Sequence, residues 1–236
     1  ISKHRLHDDF NRKIMKHNIL YSFRRCPYAI RARWALLNTN QIVELREVIL
    51  KNKPIELIQI SKKATVPVLK TSLNKVIDES LDIMIWSIEK SNMHALLGKN
   101  SAKSQEIFSL IETNDKIFKY HLDRYKYASR FNLEESETHR TAGMKILLSL
   151  NNRLKEFSNK GKPLFLVDAK ETLADWAIWP FVRQFRIAEI KKFDQNHEIK
   201  FLRSWLNYYL THKKYSVVMK KNEPWSKQND PIIFGE

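Results

Sequence analysis

The chain has 236 residues, of which 43% are hydrophobic and 29% charged, a composition that predicts packed globular domains and excludes wholesale disorder. Its single cysteine, Cys26, excludes an intrachain disulfide and a zinc site built on several cysteines. Four glycines leave no room for a glycine-rich phosphate loop, and no apolar run is long enough to predict a conventional membrane span.

The formal net charge of +16 is spread along the chain: +3 over residues 1–18, +5 over 19–90 and +8 over 91–236. Contacts to nucleic-acid phosphates need basic groups concentrated on one surface. This spread therefore argues against a nucleic-acid partner. We expect instead a positive field that attracts small anionic ligands.

The sequence predicts a polar N-terminal arm over residues 1–18, which lack the continuous apolar stretch that is typical of a signal peptide. A single cysteine also suits a reducing compartment. We therefore expect a cytoplasmic protein.

Short elements alternate between residues 19 and 90. The predicted order is strand, helix, strand, helix, strand, strand, helix, over residues 19–23, 27–37, 43–49, 54–60, 66–69, 75–77 and 79–89. Arg31 and Arg33 lie off the apolar face of the first helix, and Asp78 is predicted to cap the last one. The pattern predicts a small α/β domain over residues 19–90.

After residue 91 the pattern predicts only helices, with apolar residues at helical spacing in several stretches. Thr172 and Asp175 form a capping box that opens a segment apolar nearly all round. Such a segment predicts a central, buried helix. We therefore expect an all-helical domain over residues 91–236.

Cys26 ends a strand-to-helix turn and is followed by Pro27, which suits the first position of a helix because the N–H it lacks is unpaired there. The sulfur then stands at a helix N-terminus, where the helix dipole favours a thiolate, and Arg24 and Arg25 add positive charge. A reactive nucleophile is the first interpretation, and a buried, inert cysteine is the alternative. Ala29 occupies the place of a second, resolving cysteine, so any redox cycle needs an external thiol.

Residues 23–29 resemble the active-site turn of cysteine-type glutathione S-transferases, most closely the omega class. Similar motifs recur in the family's order at residues 50–54, 65–69, 78–80 and 175–180. The resemblance implies a thioredoxin-like α/β N-terminal domain followed by an all-α C-terminal domain, which is the glutathione S-transferase fold. It also implies glutathione as the cofactor, a homodimer, and a hydrophobic site between the domains for a second substrate.

The resemblance assigns Cys26 the catalytic position, where it makes or breaks a disulfide with glutathione. Val66, just before Pro67, would pair its backbone with the cysteinyl part of the tripeptide as an added strand does. The family's proline at this place follows a cis peptide bond. The alternative interpretation of Pro67 is an ordinary trans proline on an edge strand.

Four further residues belong to the implied glutathione site. Glu79 and Ser80 would hold the γ-glutamyl end, with a carboxylate for its ammonium and a hydroxyl and helix N–H groups for its carboxylate. Lys53 would meet the glycyl carboxylate, and Tyr28 would lie beside the ligand. The alternatives are a helix start for Glu79 and Ser80, a solvated Lys53 and a core Tyr28.

The resulting prediction is a glutathione-dependent thioltransferase or reductase, of the dehydroascorbate-reducing or deglutathionylating kind. Two other functions stay open: a non-catalytic binding or assembly module, since a fold does not decide function, and conjugation of glutathione to electrophiles. No metal site is predicted.

Overall fold

The computed structural model describes residues 17–158 and 165–236, so the predicted arm over residues 1–18 lies outside the described residues except for its last two positions. The described residues form two compact units. One contains the residues up to Ser87 together with Lys220–Glu236, and the other contains Ile88–Met219. No helix within the described ranges is long and apolar enough to cross a membrane.

The first unit has the predicted order of strands and helices. Its elements are β1 (Asn18–Ser22), α1 (Pro27–Asn38), β2 (Val43–Glu47), α2 (Ile55–Ile60), β3 (Val68–Lys70), β4 (Val76–Ile77) and most of α3 (Ser80–Lys90). Strand β2 runs parallel to β1, whereas β3 is antiparallel to β1 and β4 is antiparallel to β3. The parallel pair requires the crossover that α1 supplies.

A fifth strand, β5 (Ile232–Phe234), joins this sheet antiparallel to β2, giving the order β4-β3-β1-β2-β5. The sequence pattern predicts only helices after residue 91 and misses this strand. The physical reason is its length: three residues are too few to show the alternation by which a strand is recognised, and its partner lies far away in the sequence.

Helix α1 is enclosed on nearly all sides, with ten of its twelve residues buried. Arg31 and Arg33 are among them at 2% exposure each, which corrects the prediction that they lie off the packed face. Burying a guanidinium is tolerated only where it is hydrogen-bonded, and both side chains have such partners.

The regular elements of the second unit are all helices within the described residues. Its helices are α4 (Ser101–Glu112), α5 (Lys119–Lys126), α6 (Ser136–Ser158), α7 (Leu173–Ala188), α8 (Ile190–Asp194), α9 (Lys200–Thr211) and α10 (Lys213–Val218). One π-helical segment, Thr113–Phe118, joins α4 to α5. Three short 3₁₀ segments complete the unit: His94–Leu97, Ala128–Arg130 and His197–Ile199.

Helix α7 is the buried centre of this unit, as predicted, and its capping box is present. Asp175 accepts hydrogen bonds from the N–H and hydroxyl of Thr172, both at 2.9 Å. It also accepts from the Leu166 N–H at 2.9 Å and from the Trp205 indole at 3.0 Å. Burial raises the pKa of the Asp175 carboxyl, although these donors act to lower it. The side chain therefore ties three segments of the unit together.

Candidate functional site

Cys26 stands at the N-cap of α1, and Pro27 is the first residue of the helix, as the sequence predicts. The Cys26 N–H donates to the Phe23 carbonyl at 3.1 Å, which closes the turn that leaves β1. The half-buried side chain packs against a cluster that includes Tyr21 and Val68. The thiol donates to the carbonyl oxygen of Val66, with 3.7 Å between sulfur and oxygen. The structure thus brings together two predicted site residues that are forty positions apart.

Two side chains hold the turn before Cys26. The Arg24 N–H donates to Glu47 Oε1 at 2.7 Å, and the Arg24 carbonyl accepts from Arg33 Nη2 at 2.7 Å. Arg33 Nη1 also donates to the hydroxyl of Ser22. Burial raises the pKa of the Glu47 carboxyl, while the Arg24 N–H and the charge of Arg33 lower it. Both polar groups of the Arg24 peptide that face the protein are therefore satisfied, and the turn has a defined shape.

The peptide bond between Val66 and Pro67 is cis, as the resemblance implies. Strand β3 begins one residue later, at Val68, beside β1. The N–H of Val66 donates to no acceptor among the described residues, while its carbonyl accepts from the Cys26 thiol. This backbone therefore offers both a donor and an acceptor to an extended ligand beside Cys26.

Helix α3 begins at Ser80, one residue later than predicted. Asp78 therefore lies one residue before the N-cap position, which corrects the prediction that it caps the helix, and its carboxylate accepts from the hydroxyl of Ser61 at 3.1 Å. Glu79 is exposed and pairs with Lys63. Ser80 is buried, and its hydroxyl oxygen accepts from Arg31 Nε at 3.0 Å. The two residues assigned to the γ-glutamyl end thus differ in their surroundings: Glu79 is exposed to solvent, and Ser80 is buried and accepts a hydrogen bond from a buried guanidinium.

Tyr28 and Lys53 occupy half-buried positions. The ring of Tyr28 lies over the guanidinium of Arg31, with 5.0 Å between the ring centroid and the guanidinium carbon. Lys53 has no ion pair with any residue that the structure describes. Tyr28 is therefore linked to Ser80 through Arg31, whereas Lys53 forms no hydrogen bond or ion pair with the other predicted site residues in the described part of the chain.

The roles of three residues in this region could not be predicted from the sequence: Arg31, Arg33 and Glu47. Each is a charged residue in a periodic element, where the default is a solvated side chain. Only the structure shows that the arginines are buried and that Glu47 bonds to the turn before Cys26. Within residues 17–158 and 165–236, no group of three His, Cys, Asp or Glu side chains is placed to hold a metal ion.

Comparison with known proteins adds to this geometry. Residues 20–92 match the family described as "Glutathione S-transferase, N-terminal domain". All seven predicted site residues lie within that stretch. No curated protein matches the chain.

Several solved structures share the fold. A Tau class glutathione S-transferase from mango (Mangifera indica L.) is 23% identical with a TM-score of 0.75, over 87% of this chain and 93% of that one. Glutathione transferase Omega 3C from Trametes versicolor is 18% identical with a TM-score of 0.73, over 94% and 97%. Yeast Ure2p in complex with glutathione is 16% identical with a TM-score of 0.72, over 85% and 97%. The chain therefore has the predicted glutathione S-transferase fold, thioredoxin-like in its first part and mostly helical in the second.

Proposed function

We propose that this chain, which has the glutathione S-transferase fold, is a cysteine-type, omega-like enzyme that exchanges disulfides with glutathione through Cys26. The observation that carries the proposal is the placement of the sulfur. It stands at the N-terminus of α1 and 3.7 Å from the Val66 carbonyl, within the stretch that matches the family. Solved structures of this fold that contain glutathione support the choice of ligand.

Glutathione would lie extended along the Val66 backbone. Its cysteinyl part would pair with the Val66 N–H and C=O, as in strand addition. That pairing takes the Val66 carbonyl away from the Cys26 thiol, which donates to it in the structure. Once that hydrogen bond is lost, the N–H groups and dipole at the start of α1 favour the thiolate. Binding of glutathione would therefore itself promote ionisation of the Cys26 thiol.

The two ends of the tripeptide carry charges that the site would match. Ser80 and the first N–H groups of α3 would bind the γ-glutamyl carboxylate, and Glu79 would bind the neighbouring ammonium. Glu79 would have to exchange its exposed partner, Lys63, for this ammonium. An exposed ion pair contributes little, so the exchange costs little. Lys53 would meet the glycyl carboxylate.

The proposed reaction converts one mixed disulfide of substrate and glutathione, together with one free glutathione, into the substrate thiol and oxidised glutathione. The Cys26 thiolate attacks the glutathionyl sulfur of a substrate disulfide, forming a Cys26–glutathione disulfide and releasing the substrate thiolate, which takes up a proton. A second glutathione, as its thiolate, attacks the same glutathionyl sulfur, giving oxidised glutathione and restoring the Cys26 thiolate. The chain has no second cysteine, so this external thiol is required. A reducing, cytoplasmic setting would supply it.

The decisive experiment compares wild type with Cys26→Ser, using reduced glutathione and the mixed disulfide of glutathione with 2-mercaptoethanol. Formation of oxidised glutathione should proceed with the wild type and fall to the uncatalysed rate with Cys26→Ser. Mass spectrometry of the wild type after exposure to oxidised glutathione should show one glutathionyl group on Cys26. Full turnover by Cys26→Ser would exclude this mechanism.

Retention on immobilised glutathione serves as the control for binding. Cys26→Ser should still be retained, because the groups proposed to hold the two ends of the tripeptide are intact. A wild type that binds glutathione without turnover would favour a binding module instead. Sedimentation of the same sample tests the homodimer, which is part of the proposal.

A further inference from the structure

The C-terminal segment Lys220–Glu236 belongs to the first compact unit, although it follows the helical one in the sequence. Its strand β5 pairs with β2 in the register Phe234 to Val43, Ile233 to Glu44 and Ile232 to Leu45. Strand β2 would otherwise present an open edge of unpaired backbone groups. The segment therefore completes the sheet on the side where β2 lies.

Trp225 contacts the end of β2 at a second point. Its backbone N–H donates to the Glu47 carbonyl at 2.9 Å. Its ring lies 4.2 Å from the guanidinium carbon of Arg46, which also lies 5.3 Å from the ring centroid of Tyr21. Arg46 Nη1 donates to the Tyr21 hydroxyl at 2.7 Å. The cation thus links the tail to β1 as well as to β2.

Glu47 connects this anchored strand end to the turn before the cysteine. Its backbone is held on one side by Trp225 and on the other by its place opposite Ser22 in the β1 ladder. Its side chain accepts from the Arg24 N–H at 2.7 Å, within the turn that the Cys26 N–H closes. Contacts from the tail therefore reach the turn through one residue.

We infer that the C-terminal segment positions the Cys26 turn, with Trp225 and Glu47 as positioning residues; this rests on the proposed thiol chemistry. A hydrogen bond of 2.7 Å is lost when its partners separate by about 1 Å. Anchoring the Glu47 backbone therefore keeps its carboxylate within reach of Arg24. The direction of the thiol at the start of α1 depends on that turn.

The test uses Trp225→Ala and Glu47→Leu in the full chain. The first readout is the rate of Cys26 alkylation by iodoacetamide across pH, without glutathione. We expect the pH profile to shift in both variants. The second readout is disulfide exchange, where kcat should fall about tenfold with the KM for glutathione unchanged, because a misdirected nucleophile slows chemistry and not binding.

Conservative variants separate positioning from mere stability. Trp225→Phe keeps an aromatic ring against Arg46, and Glu47→Gln keeps an acceptor oxygen, so both should retain most of the wild-type rate. Every variant at position 225 keeps the backbone N–H that donates to Glu47, so Trp225→Ala tests the ring. Lys227→Ala is the matched control within the tail, since it removes an ion pair with Glu56 and leaves the Trp225 ring and the Glu47 carboxylate in place. The double variant Trp225→Ala with Glu47→Leu should be no slower than the slower single variant, because both act through one contact.

Unchanged alkylation profiles in Trp225→Ala and Glu47→Leu would overturn the inference, as would fully additive losses in the double variant. If Trp225→Ala does not fold, Glu47→Leu against Glu47→Gln decides the question, and equal alkylation profiles count against it. Alkylation needs no glutathione, so a chain that shows the expected shifts but no exchange would refute the proposed function and leave the positioning intact.

Discussion

Arg31 donates a hydrogen bond from Nε to Ser80 Oγ across 3.0 Å, joining the helix that Cys26 caps to the helix that follows Glu79. Both side chains are buried, at 2% and 4% exposure. Because the Ser80 oxygen accepts from the guanidinium, the hydrogen of its own hydroxyl must point elsewhere. In the proposed complex that hydrogen is directed at the γ-glutamyl carboxylate.

Replacing Arg31 should cost both stability and binding. Arg31→Met should lower the free energy of unfolding by about 2 kcal/mol, because Ser80 loses a charged donor in a buried site. Glutathione affinity should fall about tenfold, since the hydroxyl loses its fixed direction. Arg31→Lys keeps the charge without the planar guanidinium, so its stability and glutathione affinity should lie between those of wild type and Arg31→Met. Urea unfolding and equilibrium dialysis measure these effects, and an Arg31→Met variant indistinguishable from wild type in both would contradict the role.

Lys53 should contribute to glutathione binding and not to turnover. It is half-buried and has no ion pair with any described residue, so its charge is available to a carboxylate. Lys53→Gln should raise the KM for glutathione about tenfold, the size of one charge-assisted hydrogen bond, and leave kcat unchanged. Lys51→Gln, two positions away and exposed, is the matched control. Equal KM values for the two variants would remove Lys53 from the site.

The ion pair between Asp168 and Lys103 should give stability a dependence on acid pH. The pKa of Asp168 is lowered to about 2, from 3.8, mainly by the hydrogen bond from Lys103 at 2.7 Å, with further contributions from the Ala169 N–H and the charge of Lys99. A depressed carboxyl pKa contributes stability that is complete above the unfolded value and is lost as pH falls toward about 2. Because the Lys103 side chain is 34% exposed, solvent screening limits the contribution to about 1 kcal/mol or less.

Urea unfolding of wild type and Asp168→Asn at neutral pH and near pH 2 checks this expectation. Asp168→Asn should be less stable at neutral pH, and most of the difference should be gone near pH 2, where Asp168 is about half protonated in the folded wild type and almost fully protonated in the unfolded chain. A difference that persists unchanged in acid would show that the ion pair is not its source.

Asp175 should be among the most costly side chains of the helical unit to remove. It is fully buried and accepts four hydrogen bonds, so Asp175→Ala leaves several buried donors without a partner. We expect a loss of about 3 kcal/mol or more in the free energy of unfolding. Asp123→Ala, which removes one half-buried ion pair with Lys119 on α5, should cost less than about 1 kcal/mol, because solvent still reaches both side chains. Calorimetry of both variants compares them directly, and similar losses would argue against this account of Asp175.

Local chemistry in the chain was sufficient to predict the order of elements over residues 19–90 and the start of two helices. Pro27 marks the first residue of α1 because proline lacks an N–H that this position does not use, and this places Cys26 at the N-cap. The box of Thr172 and Asp175 marks the start of α7 because its partners are three residues apart. Both signals depend on neighbours in the sequence, so they are readable without the fold.

Tertiary structure alone decided which charged residues are buried and which distant segments meet. The burial of Arg31 and Arg33, the bond from Glu47 to the turn before Cys26, and the return of β5 to the first sheet all join residues far apart in the chain. Periodicity reports only whether a position is apolar, and it assigns a charged residue to solvent by default. A buried guanidinium or carboxylate is stable because of specific hydrogen-bond partners, and those partners exist only once the chain has folded.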